Sequence, residues 1–114
     1  MTLVYKILPK ALWDEAKAAG RFDGAPIDHA DGFIHLSAAG QAQETAALYF
    51  RGQEDLLLVG FDADALGPDL KWEASRGGAL FPHLFRSLSP AEAVSEKPIP
   101  LDADGVPQLG DLSA

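Results

Sequence analysis

Leu56-Leu57-Leu58-Val59 is an unbroken apolar run inside residues 55–62. Four apolar side chains in succession leave no polar face, so a strand of this kind belongs at the centre of a sheet, covered on both sides. The rest of the chain has to supply neighbouring strands and covering helices. Residues 3–8 are apolar and β-prone and form the first strand. Pro9 suits the first turn of a helix, where its missing N–H costs nothing. Residues 10–19 then set Leu12, Trp13 and Ala16 on one helical face, and Gly20 stops the helix. Residues 21–30, broken by Gly24 and Pro26, read as a loop, and residues 33–37 as a short strand.

A second helix over residues 38–51 carries Ala42, Ala46, Tyr49 and Phe50 as its buried stripe. Gly67-Pro68 turns the chain. Residues 70–74 alternate, with Leu70, Trp72 and Ala74 on one face and Lys71, Glu73 and Ser75 spaced along the other. Gly77-Gly78 breaks the chain before a strand around Leu80-Phe81-Pro82-His83-Leu84-Phe85. Residues 94–101 add an edge strand, where proline is tolerated. The order β-α-β-α-β-β-β-β, with both helices early, indicates an α+β fold. One domain over residues 1–114 is expected, with its core at about 3–101 and a tail at 102–114 that frays from Gly110 onward.

Charge and composition narrow the function. Nine Lys and Arg against seventeen Asp and Glu give a net charge of −8. Such a surface repels phosphate backbones and disfavours non-specific nucleic-acid binding, although Arg76 or Arg86 could mark a local basic patch. The chain has no cysteine, which excludes disulfides, thiolate chemistry and cysteine-based zinc sites. No stretch approaches the ~20 apolar residues of a membrane span, and the first residues lack the apolar run of a signal peptide. A cytoplasmic protein, monomeric or weakly homodimeric, is expected.

Chemistry concentrates in Asp31-Gly32-Phe33-Ile34-His35-Leu36-Ser37. Strand alternation puts Phe33, His35 and Ser37 on one face, while Ile34 and Leu36 anchor the strand from the other. An imidazole and a hydroxyl beside an aromatic make up one wall of a small-molecule site. The plain alternatives are a half-buried histidine satisfied by backbone, and a Ser37 that caps the second helix. His83, between Phe81 and Phe85, is either an aromatic-packed structural histidine or the second half of the same cluster. Glu73 is either a solvated carboxylate opposite a core tryptophan or a group that stabilises positive charge near the histidines. His29, His35 and His83 could make a three-histidine metal site, but the spacing is not the compact His-x-x-x-His of a helix, and no metal is expected. The chain contains no Gly-x-Ser-x-Gly elbow, Gly-x-Gly-x-x-Gly or Walker loop.

Tyr5-Lys6-Ile7, Trp13, the Asp31 to Ser37 segment, Trp72-Glu73 and Phe81-Pro82-His83-Leu84 together resemble the small bacterial family DUF952, over about residues 5–101. Phe85 stands where that family usually has tyrosine, and Arg86 where glycine is common. The resemblance implies a split antiparallel or mixed sheet like that of ADP-ribosyltransferases and RNA 2′-phosphotransferases, which clasp NAD or an ADP-ribose moiety. It implies that His35 and Ser37 match the His-x-Ser element of those enzymes, in which the histidine holds the nicotinamide ribose. On this footing His35, Glu73 and His83 are the expected catalytic residues. Phe33, His35, Ser37 and Phe81 are the expected contacts to NAD. A nucleotide-binding module without turnover is the alternative.

Overall fold

The protein is described by a computed structural model over residues 2–112, apart from the side chain of Arg76. Leu3–Pro9 (β1) runs directly into the helix Lys10–Ala19 (α1), with Pro9 at the N-cap. A short helix Pro26–Asp31 (α2) precedes two two-residue strands, Ile34–His35 (β2) and Ser37–Ala38 (β3). The helix Ala39–Tyr49 (α3), the strand Leu56–Asp62 (β4) and the one-turn helix Ala63–Leu66 (α4) follow. Leu70–Ala74 (β5), Leu80–Leu84 (β6) and Ala93–Ile99 (β7) complete the described strands.

The strands form two antiparallel sheets, β3-β1-β4-β7 and β2-β6-β5. β4 lies between β1 and β7, as its apolar run requires, and each face meets a different layer. Leu57, Val59 and Phe61 pack with Trp13 and Ala16 of α1 and with Ile34 and Leu84 of the smaller sheet. Leu56 and Leu58 pack on the other side with Ala42 and Ala46 of α3, Tyr5 and Ile7 of β1, and Leu109. The large sheet is thus sandwiched between α3 and a layer made of α1 and the small sheet, an α+β arrangement. Trp13 is the keystone of the first layer, edge-on to Phe22 at 5.8 Å and to Phe61 at 6.2 Å.

Five sequence expectations change. Residues 21–30 are not all loop, because Pro26 opens α2 at its first turn, where the lost N–H has no partner to lose. The 33–37 strand is split: β2 pairs with β6 and β3 with β1, and the chain crosses between sheets at Leu36, whose N–H donates to Pro82 O at 3.0 Å. Ile34 and Leu36 are buried, so the anchoring half of that expectation holds. Ser37 does not cap α3; Ala38 is the N-cap, and the Gln41 side chain accepts its N–H at 3.0 Å. Only Ala42 and Ala46 of the expected α3 stripe are buried; Tyr49, the last helical residue, is exposed, and Phe50 follows as the C-cap. Trp72 is 41% exposed because β5 is an edge strand of a sheet only three strands wide.

β7 is the edge strand expected near residues 94–101, with Pro98 opposite Leu57. The core reaches past residue 101. Leu109 is buried, its N–H donating to Gln43 Oε1 at 3.0 Å and its carbonyl accepting from Lys97 Nζ at 2.6 Å. Residues 113 and 114, the end of the segment expected to fray, lie outside the described residues, as does any basic patch around the Arg76 side chain. Arg86 is no free patch, since its guanidinium grips Glu92 through two bonds of 3.1 and 2.8 Å. Among the described residues no helix is long and apolar enough to cross a membrane.

Candidate functional site

The junction between the sheets leaves a cavity of about 620 Å³, inside the range of small-molecule sites. β1 and α3 form its apolar side. The sheet-crossing segment contributes His35 and Ser37, and β6 contributes Phe81 and His83. Ile27 of α2 and Tyr49 of α3 line it while remaining 60% and 61% exposed, so they stand at its rim.

Antiparallel pairing of β2 with β6 puts His35 directly opposite His83, with ring centroids 5.7 Å apart. His35 is held by Asp28. One carboxylate oxygen, Oδ1, accepts both the His35 backbone N–H at 3.0 Å and the ring Nδ1 at 2.6 Å. Oδ2 accepts the Ala25 N–H at 2.7 Å, a bond made possible by the position of Asp28 in the first turn of α2. Lys6 closes the set, 2.8 Å from Asp28 Oδ2, while also donating to the His35 carbonyl at 3.0 Å.

Both charged groups are buried, and their acidities follow. Burial pulls the Lys6 ammonium below its ordinary value, against the charge and hydrogen bond of Asp28. Burial alone would push Asp28 up. The hydrogen bond from His35, the Lys6 charge and hydrogen bond, and the Ala25 N–H outweigh it and hold the carboxyl well below the usual carboxylate range. An ionised Asp28 fixes a proton on His35 Nδ1 and directs Nε2 elsewhere. Nε2 meets Asp31 Oδ2 at 2.9 Å.

His83 is oriented in the same manner by Glu73, whose Oε1 lies 2.8 Å from Nδ1. Glu73 therefore touches the histidine from behind and is a positioning group for it. The Phe33 ring stacks on His83 at 4.1 Å and packs against His35 at 4.6 Å and Phe85 at 5.2 Å. Phe33 thus buttresses both imidazoles. It lines a second, smaller cavity of about 280 Å³, together with Asp28 and His29, and not the larger one. Of the sequence-predicted site residues, His35, Ser37, Phe81 and His83 share the large cavity, whereas Phe33 and Glu73 stand behind the histidines. Ser37 Oγ is directed at Thr45 Oγ1, 3.4 Å away. His29 lies on the smaller cavity, and among the described residues no three His, Asp or Glu side chains gather as a metal set.

Lys6, Asp28 and Asp31 belong to the cluster, and sequence reasoning assigned none of them to the site. A lysine inside the apolar stretch Leu3-Val4-Tyr5-Lys6-Ile7-Leu8 was the available signal, because a charge in a buried strand has to find a partner. Asp28 carried a weaker one, a carboxylate two residues after Pro26, in the first turn of a helix.

Fold and site together define a class: a two-sheet antiparallel α+β protein whose cleft holds two carboxylate-oriented histidines. The chain belongs to the DUF952 family, whose model, described as a protein of unknown function, matches residues 7–96. It is similar to protein CC0527 from Caulobacter crescentus, at 65% identity over 95% of both chains and a TM-score of 0.93 to the crystal structure. The solution NMR structure of CC0527 gives a TM-score of 0.87 at 65% identity, covering 96% of this chain and 95% of that one. No curated protein matches the chain.

Proposed function

We propose that the larger cavity binds NAD or an ADP-ribose-like nucleotide, and that the chain acts on it as an ADP-ribosyltransferase-like transferase. One observation carries the reading: two histidines, each with Nδ1 fixed by a carboxylate, stand side by side in a single cavity large enough for a nucleotide. Phe81 on the same wall offers a ring for nicotinamide to lie against. In the transfer, the bond between ribose C1′ and the nicotinamide nitrogen breaks, its electron pair leaves on nicotinamide, and an acceptor nucleophile bonds to C1′. His35 donates to the ribose hydroxyl, and His83, oriented by Glu73, faces the developing positive charge. Loss of one preorganised donor in such a site costs ~3 kcal/mol, or about a hundredfold in rate. We further propose a cytoplasmic protein, monomeric or weakly dimeric, that binds neither membranes nor nucleic acid at large; the net charge of −8 supports the last point.

A second reading, a nucleotide-binding module without turnover, has its own support. Both ring nitrogens of His35 are engaged, and Glu73 serves His83 from behind. Titration of the labelled wild type and His35→Ala with NAD, ADP-ribose and nicotinamide tests both. The transferase reading expects saturable binding and nicotinamide release, each lost in His35→Ala. Binding without release decides for the module. Full NAD turnover by His35→Ala, or no spectral change at millimolar ligand, overturns the transferase.

A further inference from the structure

Asp31 stands at the exposed edge of the cluster. It is the last residue of α2, at the helix end where negative charge is disfavoured, and its side chain is 47% exposed. Gly32 follows in a left-handed turn, φ 84°, which reverses the chain and returns His35 to it. Among the described contacts its only polar partner is His35 Nε2, at 2.9 Å. Asp28, by contrast, holds Lys6, the Ala25 N–H and two groups of His35 at once. With a carboxylate oxygen at each ring nitrogen, both contacts are hydrogen bonds only when both nitrogens carry protons. In that form His35 Nε2 presents an N–H donor at the wall of the cavity, and the Asp31 carboxylate covers it. Asp31 and His35 both line that cavity, whose other surfaces from β1 and α3 are mainly apolar.

We infer that the ligand is an amphiphilic oxyanion, an aromatic or aliphatic body bearing a carboxylate or phosphate, and that its anionic group displaces Asp31 from His35 Nε2. The Asp31 carboxylate leaves Nε2, and the ligand's oxyanion takes its place at the same donor. The body lies against the apolar wall, between Ile27 and Tyr49 at the rim. This inference rests on the cavity being the ligand site, and it assigns His35 Nε2 as the group that selects anionic over neutral ligands, with Asp31 as its internal competitor.

The test compares wild type with Asp31→Ala, and with Asp31→Asn as a check on folding, by calorimetric titration with benzoate, benzamide and ADP-ribose. Benzoate and benzamide differ in charge at nearly constant shape, and ADP-ribose supplies phosphate in place of carboxylate. Removing the internal competitor is expected to tighten the oxyanions about tenfold, the worth of one hydrogen bond to a charged group. Benzamide affinity should stay within about twofold. An unchanged benzoate-to-benzamide ratio in Asp31→Ala overturns the inference, even where ADP-ribose binds and the nucleotide reading stands. A tightened benzoate affinity without ADP-ribose binding upholds it and removes the nucleotide reading. No binding of any probe to either protein overturns both.

Discussion

The apolar layers around β4 and the junction between the two sheets bury their residues by different means. In the large sheet, β4 is buried from Leu56 to Phe61 by apolar neighbours on both faces. At the junction of the two sheets, β6 buries His83 while β1 and α2 bury Lys6 and Asp28, and this region is held by directed hydrogen bonds. Apolar packing is undirected and stabilises in proportion to the area removed from water. A buried ion pair must first overcome the desolvation of both charges, and replacing it with well-packed hydrophobic groups is often neutral or favourable. The apolar layers around β4 therefore carry stability, and the junction between the sheets spends some of it on fixed imidazoles facing a cavity.

The comparison breaks most visibly through large-to-small changes in the first region. Trp13→Ala removes the ring that spans Phe22 and Phe61, along with the Nε1 donor to Glu96 at 2.9 Å. It should cost about 3–5 kcal/mol in denaturant unfolding. Asp28→Ala should cost about the same, ~3–5 kcal/mol, because it strands a buried ammonium. The two sites differ in rescue. Adding Lys6→Met to Asp28→Leu should restore the melting temperature to within a few degrees of wild type while loosening His35. A double variant as unstable as Asp28→Ala would show that the pair is structural in its own right.

Acid sharpens the same contrast. Asp28 titrates well below the ordinary carboxylate range in the folded chain. Its contribution is therefore complete above the unfolded value of about 3.9 and is lost as pH falls from there toward the folded value. Stability should drop below about pH 4 in wild type, and the drop should be shallower in the Lys6→Met, Asp28→Leu protein. The smallest effect is expected at Glu73, whose side chain is 44% exposed. Glu73→Gln should change stability by less than ~1 kcal/mol, yet shift the His83 ring resonances by replacing the carboxylate acceptor at Nδ1 with a neutral amide. An unfolding loss of several kcal/mol there would make that pair part of the scaffold.

The apolar half of the molecule was legible in the sequence and the polar half only partly so. Leu56 to Val59 announced a central strand, and the spacing of Leu12, Trp13 and Ala16 between Pro9 and Gly20 announced α1, because hydrophobic periodicity is local. Strand alternation singled out His35 and His83 and left open whether their strands are neighbours; the pairing register puts the two residues opposite each other. Alternation is blind to partner choice, so the change of sheets at Leu36 was invisible. Gly24 and Pro26 were read as breakers, yet they prepare α2. Pro26 opens the helix, and a Cβ at Gly24 would sit 2.9 Å from Asp28 Cβ, so the glycine leaves room for the buried carboxylate. Lys6 and Asp28 are 22 residues apart, and only the closed fold brings them together.

The central claim is that the carboxylate-held histidines His35 and His83 form one ligand site. Long-range nitrogen–proton spectra of the three histidine rings during addition of ADP-ribose test it most directly. His29, on the separate smaller cavity, serves as the internal control. The account predicts that the Nε2 resonances of His35 and His83 move together and saturate at one concentration while His29 stays still. Movement of His29 alone, or of no ring, would contradict it.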